Sequence, residues 1–140
     1  MNYFDNNLVE TLNKNGILYE RLSDKEQEDF INNIQNKIIF AGSKIDWEAL
    51  ENATELSYMD RPLALTIVAE KLGSLGIQQV IFLSDSAIEH AYSININDIK
   101  KALEIFADFP QHTYIFPQSL HWIACLAFEG QIDYADLTHD

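Results

Sequence analysis

Near residue 77 the spacing of apolar residues in this chain changes, and that change limits the folds open to it. Up to Gly76 they recur mostly every three or four positions, the period of an amphipathic helix. From Gln79 onward they come in short continuous runs bounded by turn residues. Gln79-Val80-Ile81-Phe82-Leu83-Ser84 is apolar on both faces and rich in β-branched and aromatic residues, which reads as a buried strand. Helices followed by strands, rather than alternating with them, predict an α+β domain: N-terminal helices, then a mostly antiparallel sheet with one inserted helix and a C-terminal β-hairpin. With 140 residues and no long linker, the expectation is a single domain over 1–140.

The helices have definable ends. Leu8 and Leu12 predict a helix over Asn6 to Asn13, stopped at Asn15-Gly16, and Ile17, Leu18 and Leu22 lead to the next start. Ser23-Asp24-Lys25-Glu26 is a capping box, in which the serine takes the amide of the glutamate and the glutamate reaches back. Behind it Phe30, Ile31, Ile34 and Ile38 predict a helix over Asp24 to Phe40, ended by Ala41-Gly42-Ser43. Lys44 to Ser57 fits a helix on Trp47, Leu50 and Leu56, with Asp46 as a cap and Asn52 and Thr54 against it. Asp60-Arg61-Pro62 opens a helix with proline in its first turn; Leu63, Ile67, Val68 and Leu72 share a face, and Gly73 or Gly76 closes it.

In the second half, Glu89 to Ile96 alternates as a second strand or a helix–strand junction. Asn97-Asp98 caps a helix through Ala107, with Ile99, Leu103 and Phe106 inward, and Phe109-Pro110 stops it. His112 to Phe116 and His121 to Phe128 are the third and fourth strands. Glu129-Gly130 is a tight turn, with glycine supplying the positive φ of a two-residue loop, and Gln131 to Asp136 is the fifth strand. In that strand Asp133 and Ala135 face one way, Tyr134 and Asp136 the other. Read as an edge, it carries aspartates that discourage edge pairing, so the free chain is expected to be a monomer.

Charge removes several function classes. There are 22 acidic against 9 basic residues, a net charge of −13, and the hydrophobic fraction of 47% supports a packed core rather than disorder. Nucleic-acid phosphates and anionic membranes both demand clustered cations, so neither is an expected partner. The first ten residues carry no basic and apolar leader pattern, no run is long enough to span a bilayer, and the lone Cys125 allows no internal disulfide; a cytoplasmic location is expected. Residues 1–70 mix 13 acids with 6 bases, whereas no Lys or Arg follows Lys101, leaving Glu104, Asp108, Glu129, Asp133, Asp136 and Asp140 uncompensated.

Catalytic constellations are thin. Cys125, inside WIACLAFEG, reads as a small core residue. His112 and His121 flank the hairpin and are able to approach each other. Asp85 and Glu89 share a face if their segment is helical, and would then form a carboxylate pair. Gly73-Ser-Leu-Gly76 lacks the basic residue of a phosphate cradle. No cofactor or metal site is expected. What the residues do offer is a surface: Asp85, Glu89, Asp108, Glu129, Asp133, Tyr134 and Asp136 are the candidate contacts for a cationic partner, where charge steers encounter and an aromatic supplies contact energy. Trp47 and Trp122 read as core.

The second half also carries a resemblance. VIFLSD (Val80 to Asp85), NDIKKALEIFADFP (Asn97 to Pro110), HTYIFP (His112 to Pro117) and HWIACLAFEGQIDYAD (His121 to Asp136) follow in that order. Over roughly residues 78–137 this resembles bacterial immunity proteins of polymorphic-toxin and contact-dependent growth inhibition systems. The resemblance implies a small cytoplasmic protein without enzymatic activity that binds a cognate toxin domain and blocks its active site or substrate path. Many such toxins are nucleases with basic substrate faces, so carboxylates here would stand in for phosphates. Two other readings stay open: an acidic interaction or regulatory module without a toxin partner, and a small hydrolase using His112, His121, Asp85 or Glu89.

Overall fold

A computed structural model describes residues 2–38, 40–41, 44–47, 50, 53–56, 60–85, 87–127 and 130–137. Four helices are found among them: α1 (Tyr3–Lys14), α2 (Asp24–Lys37), α3 (Arg61–Gly73) and α4 (Ile99–Ala107). The strands are β1 (Tyr19–Arg21), β2 (Phe40–Ala41), β3 (Lys44–Ile45), β4 (Ala53–Glu55), β5 (Gln79–Ser84), β6 (Tyr92–Asn95), β7 (Thr113–Pro117), β8 (Trp122–Leu126) and β9 (Ile132–Asp136). Seven of them form one antiparallel sheet in the order β1-β6-β5-β7-β8-β9-β4, and β2 and β3 pair separately. The α+β class and the C-terminal hairpin, β8 with β9, are as expected.

Both faces of the sheet are covered, which explains the continuous apolar runs. Val80, Phe82, Tyr92, Ile94, Ile115, Trp122, Ala124, Leu126 and Ile132 point to one side and pack with α1, α3 and α4. Their strand neighbours Ile81, Leu83, Tyr114, Phe116, Ile123 and Cys125 point to the other, where α2 supplies Ile34 and the following segment supplies Ile38, Ile45 and Trp47. Phe82 stacks on Phe106 of α4 at 4.3 Å between ring centroids, and Phe30 of α2 meets Phe116 at 5.3 Å. The two faces are called here the three-helix face and the α2 face.

Helix ends follow local chemistry. Asn2 caps α1 by accepting the Asp5 amide, and both halves of the capping box at Ser23 and Glu26 are formed. α2 stops at Lys37, short of Phe40, because Ile38 turns extended to reach the core. The cap before α4 sits earlier than expected: the Asn95 side chain accepts the Asn97 amide, and one turn of 3-10 helix, Ile96–Asp98, precedes α4. α3 is rotated from the expected face. Leu65, Val68, Ala69 and Leu72 are buried at i, i+3, i+4 and i+7, with Ala64 beside them, while Leu63 is 50% exposed.

Four readings change. Lys44 to Ser57 holds no α-helix where described: it holds β3, β4 and, at Trp47, 3-10 geometry, and the Leu56 amide bonds Ile132 O at 2.7 Å beside the β4–β9 pairing. Tyr19–Arg21, read as a lead-in, is an edge strand on β6. Since β4 covers β9, Gln131 to Asp136 is not an edge, and the edge argument for a monomer falls. The hairpin also closes at Ala127 and Gln131 rather than around a two-residue turn: Ala127 N donates to Gln131 O and Gly130 N to Ala127 O, with Gly130 at φ 99°.

Candidate functional site

The connection from β5 to β6 is densely hydrogen-bonded. Over its described residues 87–91 the bonds come mostly from side chains of other elements, while Ala91 O accepts the Leu22 amide. Asn2 Nδ2 donates to Ala87 O at 2.9 Å, and Gln111 Oε1 accepts from the Ile88 amide at 2.8 Å. Asp5 Oδ1 accepts from the Glu89 amide at 2.7 Å, and its Oδ2 from the His90 amide at 3.3 Å and the Tyr92 hydroxyl at 2.7 Å. Gln27 donates to Glu89 O at 2.9 Å and accepts from the Ala91 amide at 3.0 Å, reproducing a strand's two bonds with one side-chain amide. Gln111 is anchored in turn, donating to Ser84 Oγ and Thr113 Oγ1. Asp5 and Gln111 are buried polar residues, as sites of this kind require.

That loop carries Asp85 and Glu89 on its exposed side. Asp85 exchanges bonds with the start of β7: its amide donates to His112 O at 3.1 Å, and its Oδ1 accepts the His112 amide at 2.9 Å. Residues 85 and 87–91 contain no helix, so Asp85 and Glu89 are not a helical carboxylate pair. His112 and His121 do not meet either. The register Thr113↔Leu126 and Ile115↔Ala124 puts His112 at one end of the β7–β8 pair and His121 at the other, on the order of 20 Å apart at ~3.4 Å per residue.

On the α2 face a row of side chains runs across the sheet through registered pairs: Leu83↔Tyr114, Tyr114↔Cys125, Cys125↔Asp133 and Asp133↔Glu55. A groove of about 500 Å³ opens over the Glu55 end, lined among the described residues by Trp47, Leu50, Ala53, Thr54, Glu55, Gln131 and Asp133. It adjoins a small pocket that shares Trp47, Gln131 and Asp133 and is lined also by Cys125, Tyr114 and His112. Asp133 is only 5% exposed and accepts from Gln131 Nε2 at 2.9 Å. Burial raises the pKa of its carboxyl, the Glu55 charge adds to this, and the Gln131 bond opposes it. Burial likewise holds the Tyr114 phenol above its usual range, with the charges of Cys125 and Asp85 adding. No Lys or Arg is among the described residues lining the groove.

The expected contact residues are therefore split. Asp85 and Asp133 lie at the same end of the sheet, and Glu89 is in the loop beginning at Asp85. Tyr134 is on the opposite face, half-buried and stacked on Trp122 at 5.3 Å, and Asp136 shares that face across from Trp122. Asp108 caps the C-terminus of α4, exposed. Glu129 lies outside the described residues. Trp122 is core, as read; Trp47 lines the groove. Sequence reasoning missed Glu55 because Lys44 to Ser57 has helical spacing, read Trp47 only as core, and had no charge signal for the neutral Gln131. The available signal was Ala53-Thr54-Glu55-Leu56, which fits a short strand as well as a helix end.

Among the described residues no three His, Cys, Asp or Glu side chains are placed to hold a metal ion, and no helix is long and apolar enough to cross a membrane. No family model, curated protein or solved structure matches this chain.

Proposed function

We propose that this chain is a cytoplasmic immunity protein that binds a basic, nuclease-like toxin domain and blocks its active site or substrate path. The observation that carries the reading is the β5–β6 connection: the backbone around Glu89 is held by side chains from α1, α2 and the segment before β7, while the Asp85 and Glu89 side chains face outward. A loop ordered before binding loses little conformational entropy on association, so its carboxylates are well suited to a tight complex. Like-signed Glu55 and Asp133 at the same end of the sheet extend the negative field. The net charge of −13 and the run of acids after Lys101 supply long-range attraction to a cationic face, and the resemblance over residues 78–137 names the class of partner.

The test is co-purification of the full chain with the toxin domain encoded beside it, followed by affinity measurements from low to high salt. Attraction between opposite net charges predicts an association rate at least about tenfold slower at 0.5 M than at 0.05 M salt, where the Debye length is several times longer. Glu89→Gln should weaken the complex without altering the fold. A complex indifferent to salt would remove the electrostatic part. Failure of the neighbouring gene's product to bind would leave the reading of an acidic module without a toxin.

A further inference from the structure

The groove beside β9 combines three features that together select one kind of ligand. Glu55 and Asp133 are direct cross-strand partners, so two carboxylates of like sign stand side by side on the α2 face. Such pairs are destabilising in a sheet. The half-buried Trp47 lines the same groove and offers an aromatic surface beside them. The volume, about 500 Å³ and open to solvent, admits a long side chain from outside. The cations with described ion pairs are engaged elsewhere: Lys14 with Glu10, Lys25 with Asp29 and Lys101 with Glu104, each within its own helix.

We infer that this groove receives an arginine side chain of a partner protein, with Asp133 and Glu55 accepting from the guanidinium and Trp47 packing on its planar face. Guanidinium suits the site better than ammonium. It is planar, it presents donors in a fork able to bond two neighbouring carboxylates, and it stacks on an indole. Gln131, whose amide already donates to one Asp133 oxygen, fixes the orientation of that carboxylate before the ligand arrives. The inference rests on the reading of the chain as a binder of a basic protein, and it adds the side chain recognised and the residues that recognise it.

Burial of Asp133 gives the binding a second signature. Burial raises its carboxyl above its ordinary value, and the titratable groups that line the groove and pocket with it are Glu55 from β4, Cys125 from β8, Tyr114 from β7 and His112 just before β7. Guanidinium binds the ionised form, so affinity falls as pH drops through that raised value.

The experiment uses the full chain and Nα-acetyl-arginine amide, with Nα-acetyl-citrulline amide as the uncharged near-isostere, at constant ionic strength. The readout is the indole N–H signal of Trp47 by NMR, assigned with Trp47→Phe; the buried Trp122 on the other face serves as internal control. Saturable movement of the Trp47 signal with arginine amide in the millimolar range is expected. The citrulline compound should not produce it, and Glu55→Gln or Asp133→Asn should weaken it about tenfold. Glu55 is exposed, so its variant keeps the test valid if Asp133→Asn perturbs the core. An equal response to citrulline, no saturation, or unaltered affinity in both variants overturns the inference. The two readings separate: arginine amide bound by a chain that ignores the toxin sinks only the immunity reading, and a toxin complex from a chain blind to arginine amide sinks only this one.

Discussion

Replacing Asp5 by alanine should unsettle the loop that displays Asp85 and Glu89, and the structure sets the size of the effect. The carboxylate is fully buried, with 0% exposure, and accepts from two backbone amides and one phenol. Truncation strands three donors at once. The Tyr92 hydroxyl is the worst placed, since its side chain is also fully buried; an unsatisfied donor there costs about 2 kcal/mol. The Glu89 and His90 amides are nearer solvent and partly rehydrate, costing about 1 kcal/mol each. Loss of an acidic group from the first turn of α1 adds about 0.5 kcal/mol. Relief of the charge's own desolvation offsets part of the sum, leaving a net destabilisation of about 3 kcal/mol, within the usual range for removing one member of a buried charged network.

Against a total stability of about 5–15 kcal/mol this is a large fraction, and at about 3–4 °C per kcal/mol it lowers Tm by about 10 °C. The measurement is urea denaturation of wild type, Asp5→Ala, Tyr92→Phe and the double variant. Tyr92→Phe removes one donor and leaves the carboxylate its two amides, so it should cost about 1–2 kcal/mol. The double variant should be more stable than the sum of the singles predicts by about 1 kcal/mol or more, because phenylalanine cannot be stranded. Hydrogen exchange should show the Glu89 and His90 amides losing protection in Asp5→Ala before the sheet does. An Asp5→Ala cost below 1 kcal/mol, or strict additivity with Tyr92→Phe, would refute the view that this carboxylate organises the loop.

Three further outcomes are expected. Asp133 has a raised pKa in the folded state, so its contribution to stability is full below the unfolded value of about 3.9 and is lost as pH rises through the folded value; Asp133→Asn should therefore be more stable than wild type at pH 7 and not at pH 3.5, by denaturant titration at both. Gly130→Ala forces a positive φ on a residue with a Cβ and should cost about 1–2 kcal/mol, whereas Gly73→Ala, at a helix end with open space and no positive φ, should be neutral or stabilising by about 0.5 kcal/mol, as thermal melts will show. The Trp122 indole N–H is buried and finds no partner among the described residues, so Trp122→Phe trades lost packing against relief of an orphaned donor and should lie within about 1 kcal/mol of wild type.

What could be read from the chain tracks where each signal resides. β5 was legible to the residue because helices cover both faces of the sheet there, and that double burial leaves a continuous apolar run in the local sequence. The capping box at Ser23 was legible because both its bonds are local. β1 and β4 were not, because three residues of mixed polarity become strands only when Tyr19–Arg21 finds β6 and Ala53–Glu55 finds β9, far away in sequence. The site divides in the same way. Asp85, Glu89 and Asp133 could be nominated from charge alone, but strand parity sends Tyr134 and Asp136 to the opposite face from Asp133. Glu55 could not be nominated, because it reaches Asp133 only through a pairing that local spacing disguised as helix, and Trp47 read as core although it also lines the groove.

The placement of Asp133 bears on why the chain is so acidic. Charge that only maintains solubility belongs on exposed positions, where it costs little, and residues such as Glu28 and Glu70 are so placed. A carboxylate 5% exposed within a sheet, opposite a glutamate, opposes folding and does nothing for solubility. Local rules broken in this way are characteristic of functional sites, whose unfavourable energy in the free protein is recovered on binding. A cationic partner group would remove both penalties at once, replacing the water lost to Asp133 and cancelling its repulsion with Glu55. The same two carboxylates that weaken the free chain would then strengthen its complex, so Glu55→Gln and Asp133→Asn should raise the stability of the free protein while lowering its affinity for the partner.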